Sequence, residues 1–335
     1  MTLADLMAFV TVIALVVYAL TAGADFGGGV WDALARGPRK QAQRALIADA
    51  ITPIWEANHV WLILVIVLLF TCFPAAFARL AIVLHIPLAL ALIGIVARGS
   101  AFTFRAYDSK DDLVQRRWGS IFAGASVVTP LLLGVCVGAV ASGRVVIGGG
   151  TFAARFISPW LTPFAVAVGV FALVLFAFLA AVYLTLESAE PELKEDFRRR
   201  ALICAVLVFV AAFGVLLLSG AAAPRVRLGL TGRPWAVPLH IATGLAAVTA
   251  IWGLWTRQYR AARFAAGSQV ALILVGWAFA QYPFLVPPDL SIEYSAGPPV
   301  TLRLVLIALA GGAILLVPSL RYLFRVFKGH TTRVR

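Results

Sequence analysis

LMAFVTVIALVVYALTAGADFGGGVW, residues 6–31, is apolar from Leu6 to Leu20 and then turns to a carboxylate, Asp25, set among Gly23, Gly27, Gly28 and Gly29. A span of the bilayer needs ~20 residues, and this stretch is long enough. No basic segment precedes it and no small-residue cleavage site follows it, so it reads as a retained membrane helix and not a removed leader. The next apolar stretch opens PIWEANHVWLI and carries a second carboxylate, Glu56. A charge in hydrocarbon is expensive, so both acids are candidate functional residues.

The rest of the chain agrees with that reading. It is 62% hydrophobic with a mean hydropathy of +0.95, which excludes a soluble globular domain. Strand-period alternation is missing, so a β-barrel is not expected. The expected fold is an all-α polytopic membrane protein, a single integral membrane domain over 1–335. Nine apolar stretches can span, at about 6–31, 53–73, 78–98, 119–141, 160–186, 200–220, 236–256, 264–284 and 301–325. Breakers such as Gly37-Pro38, Ser142-Gly143, Gly148-Gly149-Gly150 and Pro287-Pro288 separate them. Short loops favour antiparallel neighbours, so two four-helix bundles plus one additional helix are expected.

The net charge of +13 could suggest a nucleic-acid partner. In a membrane protein, basic residues instead mark the cytoplasmic loops, and no nucleic acid is expected. With the N-terminus outside, 21 of the 28 Lys and Arg fall inside. They recur at every inside segment: Arg36 to Arg44, Arg98 to Arg117, Lys194 to Arg200, Arg257 to Arg263 and Arg321 to Arg335. The expected topology is N-out/C-in. It puts Asp25 near the inner end of the first span and Glu56 near the inner start of the second. From Glu56 to Phe73 is ~26 Å at helical rise, which places both acids on the cytoplasmic side, close across one hairpin.

A carboxylate among glycines can serve as the polar anchor of a tight packing seam or as a proton carrier. Asp25 and Gly29 share a helix face. In the second span, Trp55, Glu56, Asn58 and His59 cluster on adjacent faces, and a relay of Glu56, His59 and Asn58 is the expected use of them. Glu56 and His59 form an E-x-x-H pair, but a di-iron site would need a second such pair, and the spans lack one. Trp55 and Trp61 carry no assignable chemistry. Cys72, Cys136 and Cys204 stand singly in apolar segments and read as packing. His85 and His240 fall at similar depth, so a bis-His haem is conceivable, although single membrane histidines are usually packing residues. Arg98 and Arg105 bracket Phe102 and Phe104 and read as interfacial anchors. The charged stretch from Asp108 to Asp112 reads as a solvated face, and the run from Glu187 to Arg200 as an ordinary charged turn. Tyr282 to Pro288, YPFLVPP, ends the eighth span, because proline cannot continue the helical ladder.

Four pieces of this sequence resemble subunit II of the cytochrome bd-type quinol oxidases. Gly23-Ala-Asp25-Phe-Gly27-Gly-Gly29 is similar to the family's G-x-D-x-G-x-G in its first helix. Trp55-Glu56-Ala-Asn58-His59-Val60-Trp61-Leu62 is similar to its W-[DE]-x-N-x-V-W-L in the second, the most specific of the four. Arg98-Gly99-Ser-Ala-Phe102-Thr-Phe104-Arg105 resembles the stretch after its third helix, and Tyr282-Pro283-Phe284 the P-F that closes its eighth. The resemblance covers nearly the whole chain. It implies a subunit of a terminal oxidase of aerobic respiration that oxidises quinol and reduces oxygen to water. It implies a partner, subunit I, which holds haems b558, b595 and d and the quinol site. This chain would ligate no haem, stabilise subunit I, and supply a proton path through Asp25 and Glu56 with Asn58 and His59. The second acid is often Asp in the family; Glu adds one methylene and changes its reach. A small single-helix subunit, membrane lipids and quinone are further partners the resemblance admits, in a bacterial cytoplasmic membrane. Two other functions compete with it: a proton-coupled transporter built on Asp25 and Glu56, and a free-standing b-type cytochrome built on His85 and His240.

Overall fold

The structure is a computed structural model that describes residues 2–51, 55–107 and 112–328. Along the described chain run α1 (Leu3–Ala33), α2 (Lys40–Ile51), α3 (Trp55–Cys72), α4 (Pro74–Val83), α5 (His85–Tyr107), α6 (Asp112–Ala141) and α7 (Phe152–Phe156). Then come α8 (Pro163–Glu187), α9 (Pro191–Ala222), α10 (Pro224–Gly232), α11 (Ala236–Trp255) and α12 (Tyr259–Gln281). A two-stranded antiparallel hairpin, β1 (Phe284–Val286) and β2 (Leu290–Ser291), leads through α13 (Ile292–Ser295) into α14 (Pro299–Lys328). Among the described residues nine helices are long and apolar enough to cross a membrane: α1, α3, α5, α6, α8, α9, α11, α12 and α14.

The helix ends follow local chemistry. Thr2 opens α1 with a capping box, its hydroxyl accepting from the Asp5 amide at 3.1 Å while the Asp5 carboxylate accepts from the Thr2 amide at 2.8 Å. Thr162 caps α8 by its hydroxyl alone, which accepts from the Ala165 amide at 3.1 Å, with Pro163 at the first helical position. α8 lies at the centre of the packing. It meets α1, α6, α9, α12 and α2, and 56% of its most apolar window is buried, against 6% for α14. Large apolar side chains face outward along the spans, among them Phe70 on α3, Ile93 on α5, Phe209 on α9 and Leu315 on α14. Such an apolar perimeter belongs in lipid or against another membrane protein.

Three expectations are corrected. The expected span at 78–98 is two helices. Pro74 starts α4, the helix ends in a bend at Leu84, and α5 begins at His85 and continues to Tyr107. The eighth span stops at Gln281 rather than 284, because Pro283 cannot donate to the ladder and Phe284 already pairs with Ser291 in the hairpin. The charged run from Glu187 to Arg200 is not a turn. From Pro191 onward it is the first turns of α9, whose charges meet at helical spacing: Arg198 donates to Glu195 at 2.6 Å and Arg199 at 3.4 Å. The same turns hold α2 in place. Arg39 forks onto Asp196 at 2.9 and 2.7 Å, Gln43 donates to Asp196 at 3.0 Å, and Arg200 donates to Gln43 at 2.7 Å. The charged stretch from Asp108 to Lys110 and Asp111 falls outside the described residues, as does the side chain of Arg105.

The opposite end of the molecule is closed by a different set of contacts. Arg79 on α4 reaches Asp289 in the hairpin at 3.1 and 3.2 Å and the Val145 carbonyl at 3.4 Å, and the Gly297 amide donates to the Cys72 carbonyl at 2.8 Å. The Arg79 hydrogen bond holds the Asp289 carboxyl below the usual carboxylate range. A carboxylate with a depressed value in the folded state contributes stability above its unfolded value of ~4 and loses it as the pH falls through the folded value. Acidification below about pH 4 is therefore expected to loosen this end of the protein. Asp289→Asn should flatten the acid limb of a thermal-stability profile by removing the small neutral-pH contribution of this pair, whose carboxylate side is exposed. An unchanged acid limb would mean that other carboxylates govern it.

Candidate functional site

The glycines of α1 set the site by letting three helices approach its backbone. A Cβ on Gly27 would lie 2.0 Å from the Phe176 carbonyl oxygen of α8, and one on Gly23 would lie 2.6 Å from the Phe176 ring. Gly23 and Gly27 thus form a small-residue face at i,i+4 spacing against α8. A Cβ on Gly29 would lie 2.0 Å from the Ser126 hydroxyl of α6, and one on Gly28 would meet Ile51 of α2 at 2.9 Å. With α3 packed on the remaining face, Asp25 is enclosed at 4% exposure.

Four polar side chains from four helices converge there. Asn58 of α3, 2% exposed, donates through Nδ2 to the Asp25 carboxylate. Arg98 of α5, 1% exposed, donates through Nη2 to the Asp25 backbone carbonyl at 2.8 Å and through Nε to Ser126 Oγ at 3.2 Å. Its guanidinium lies over the rings of Phe26 and Phe122, each centroid 5.0 Å away. Arg98 and Asp25 also act on each other electrostatically. A buried charge persists only when paired and hydrogen-bonded, and this cluster meets both conditions. Arg98 is therefore not the interfacial anchor expected from its sequence neighbourhood. The signal for its burial was an arginine inside an apolar helix with a glycine beside it, where a Cβ on Gly99 would lie 3.0 Å from the Trp55 ring.

The second-span residues separate onto different faces. Asn58 turns inward to Asp25, whereas Glu56, in the first turn of α3, is exposed on the surface of the chain. The N-terminal end of a helix favours such an acid. His59 sits among the rings of Tyr18, Phe26 and Trp55, at 6.1, 5.9 and 6.4 Å between centroids. Trp55 also tilts against Phe102 at 6.2 Å, and Trp61 packs on the same core. Among the described residues Asn58 is bonded to Asp25 rather than to Glu56 or His59. The buried His59 Nδ1, Tyr18 hydroxyl and Thr129 hydroxyl have no hydrogen-bond partner there. Buried polar atoms left unpaired cost about 1–3 kcal/mol each, so water is their natural partner. A cavity of about 180 Å³, with room for several waters, opens beside Asp25 and Asn58.

His85 and His240 are both exposed, and they stand on helices with different neighbours, α5 against α6 and α11 against α12. The His85 ring packs edge-on to Phe156 at 5.0 Å with Nδ1 2.9 Å from the Ile82 carbonyl, and His240 Nδ1 lies 2.6 Å from the Ala236 carbonyl. The transporter reading is weakened in a different way: α1 runs unbroken through Asp25, unlike the discontinuous helices that build transporter sites.

Comparison with known proteins accords with this architecture. The solved structure of the bd oxidase from Geobacillus thermodenitrificans contains a chain that superposes with a TM-score of 0.80, 22% identical, over 99% of this chain and 100% of that one. Cytochrome bd ubiquinol oxidase subunit 2 of Bacillus subtilis is 29% identical over 136 residues, 40% of this chain and 39% of the relative. Cytochrome bd-I ubiquinol oxidase subunit 2 of Escherichia coli K12 is 32% identical over 128 residues, 37% of this chain and 32% of the relative. The matched stretches thus span less than half the length of either relative. The family model for cytochrome bd terminal oxidase subunit II matches residues 3–327, nearly the full length, and the chain belongs to that family.

Proposed function

We propose that this chain is the non-haem-ligating half of a membrane-bound quinol:oxygen oxidoreductase and that it delivers protons through the Asp25 cluster. The partner, subunit I, holds haems b558, b595 and d, oxidises quinol and reduces oxygen to water. This chain packs against it and stabilises it. The membrane is the bacterial cytoplasmic membrane, with the N-terminus outside and the C-terminus inside. The charge bias supports that orientation, because the Arg39, Arg44, Arg198, Arg200 and Arg257 end of the bundle is the basic one. The nine spans form two four-helix groups with α14 at the periphery. A small single-helix subunit, lipids and quinone complete the surroundings.

One observation carries the proton reading: Asp25 is buried beside a cavity, while Glu56 lies on the outer surface of the same helix as Asn58, the partner of Asp25. A carboxylate facing lipid is unfavourable, so Glu56 belongs at the contact with subunit I. Asp25 takes up protons, Asn58 and Arg98 hold its carboxylate in place, and His59 and Glu56 lead toward the partner. Reduction of oxygen to water consumes protons, and this arrangement supplies them from the basic end. Purification of the complex from native membranes tests the assignment. A second, haem-bearing membrane subunit and a haem d absorption band are expected, and a haem-free preparation without a partner would overturn it.

A further inference from the structure

The cavity beside Asp25 does not end there. Its walls are mostly apolar, with Leu20, Ile47, Ile51 and Leu184 beside the single hydroxyl of Thr21, but both of its ends are polar. Asp25 and Asn58 form the inner end. Tyr183, Glu187 and Arg263 form the outer end, where α8 finishes and α12 begins. Arg263 reaches Glu187 at 3.7 Å, and its guanidinium lies over the Tyr183 ring at 4.8 Å. The Glu187 side chain is 16% exposed and that of Arg263 37%, so this pair meets the outside while Asp25 does not. A dry cavity is lined by apolar groups alone; one with charged groups at both ends and about 180 Å³ of space holds water.

We propose that this cavity is the water-filled inlet to Asp25, and that Glu187 and Arg263 form its mouth. Glu187 takes a proton from bulk water and passes it along the cavity waters; the last of these gives its proton to the Asp25 carboxylate and remains as water. Arg263 is a positioning residue, clamped between Glu187 and the Tyr183 ring so that the carboxylate stays at the opening. The inference rests on the reading of Asp25 as a proton carrier.

Two measurements on the intact complex test it. Ala24 lines the cavity one residue from Asp25, and the native Cys72, Cys136 and Cys204 are buried, so Ala24→Cys can be probed with a small water-soluble methanethiosulfonate. Labelling is expected, and adding Ala50→Leu to plug the passage should slow it about tenfold. Thr21→Cys, also on the wall, replaces Ala24→Cys if that variant does not assemble. Glu187→Gln should lower turnover and proton uptake several-fold with the KM for quinol unchanged, and Glu187→Asp should recover most of the rate, roughly the behaviour of a lost proton-transfer group. An unlabelled cysteine at both positions, or full turnover in Glu187→Gln and Ala50→Leu, would overturn the inlet. If Asp25→Asn slows turnover while the mouth variants do not, the inlet alone fails. If Asp25→Asn turns over at the full rate, the proton-carrier reading fails, and the labelling still decides whether the cavity is wet.

Discussion

Asp25→Asn is expected to cut the quinol-oxidase turnover of the assembled complex by about tenfold or more, equivalent to ~1.4 kcal/mol on the barrier of the slow step. Asparagine keeps the size of the side chain and an oxygen that can accept from Asn58, but it cannot carry a proton. The substitution also removes a negative charge beside the buried Arg98. Breaking a buried pair on one side costs about 3–5 kcal/mol in stability, so turnover must be expressed per assembled haem. Glu56→Gln separates the two effects. Glu56 is exposed on this chain and makes no hydrogen bond or ion pair among the described residues, so its replacement should slow turnover while subunit ratio and haem content stay normal. Full turnover per haem in both variants would leave Asp25 and Glu56 with a packing role only.

Gly27→Ala is expected to prevent or severely weaken assembly. The added Cβ would fall 2.0 Å from the Phe176 carbonyl oxygen and 2.6 Å from its carbon, and neither backbone atom can rotate away. α1 and α8 must separate, and overpacking of this kind costs about 1–3 kcal/mol or more. Gly23→Ala should be milder, because its nearest obstacle, at 2.6 Å, is the Phe176 ring, which can turn. Gly119→Ala, with nothing within 4 Å, is the control and should be neutral. Yield and thermal inactivation temperature of the haem-containing complex rank the three. Equal stability of Gly27→Ala and Gly119→Ala would show that α1 and α8 do not touch as described.

The sequence alone carried the membrane class, the nine spanning helices found among the described residues, and the family. Apolar runs of spanning length are a local property, and the solvent selects for them residue by residue. It also singled out Asp25, because a carboxylate in an apolar run is conspicuous wherever it points. What it did not decide was direction. Glu56 and Asn58 are two residues apart on one helix, yet one faces outward and the other binds Asp25, and only the packing of α3 on α1 separates them. Arg98 looked like an interfacial anchor because its neighbours in the chain are aromatic; the tertiary structure buries it between Phe26 and Phe122, from other helices. Glu187 and Arg263 lie far apart in sequence and looked like loop charges. They become the outer end of a cavity only because α8 ends where α12 begins. Burial, pairing and cavities arise between helices, and the pattern along one helix records which residues are apolar but not which neighbour each polar group will meet.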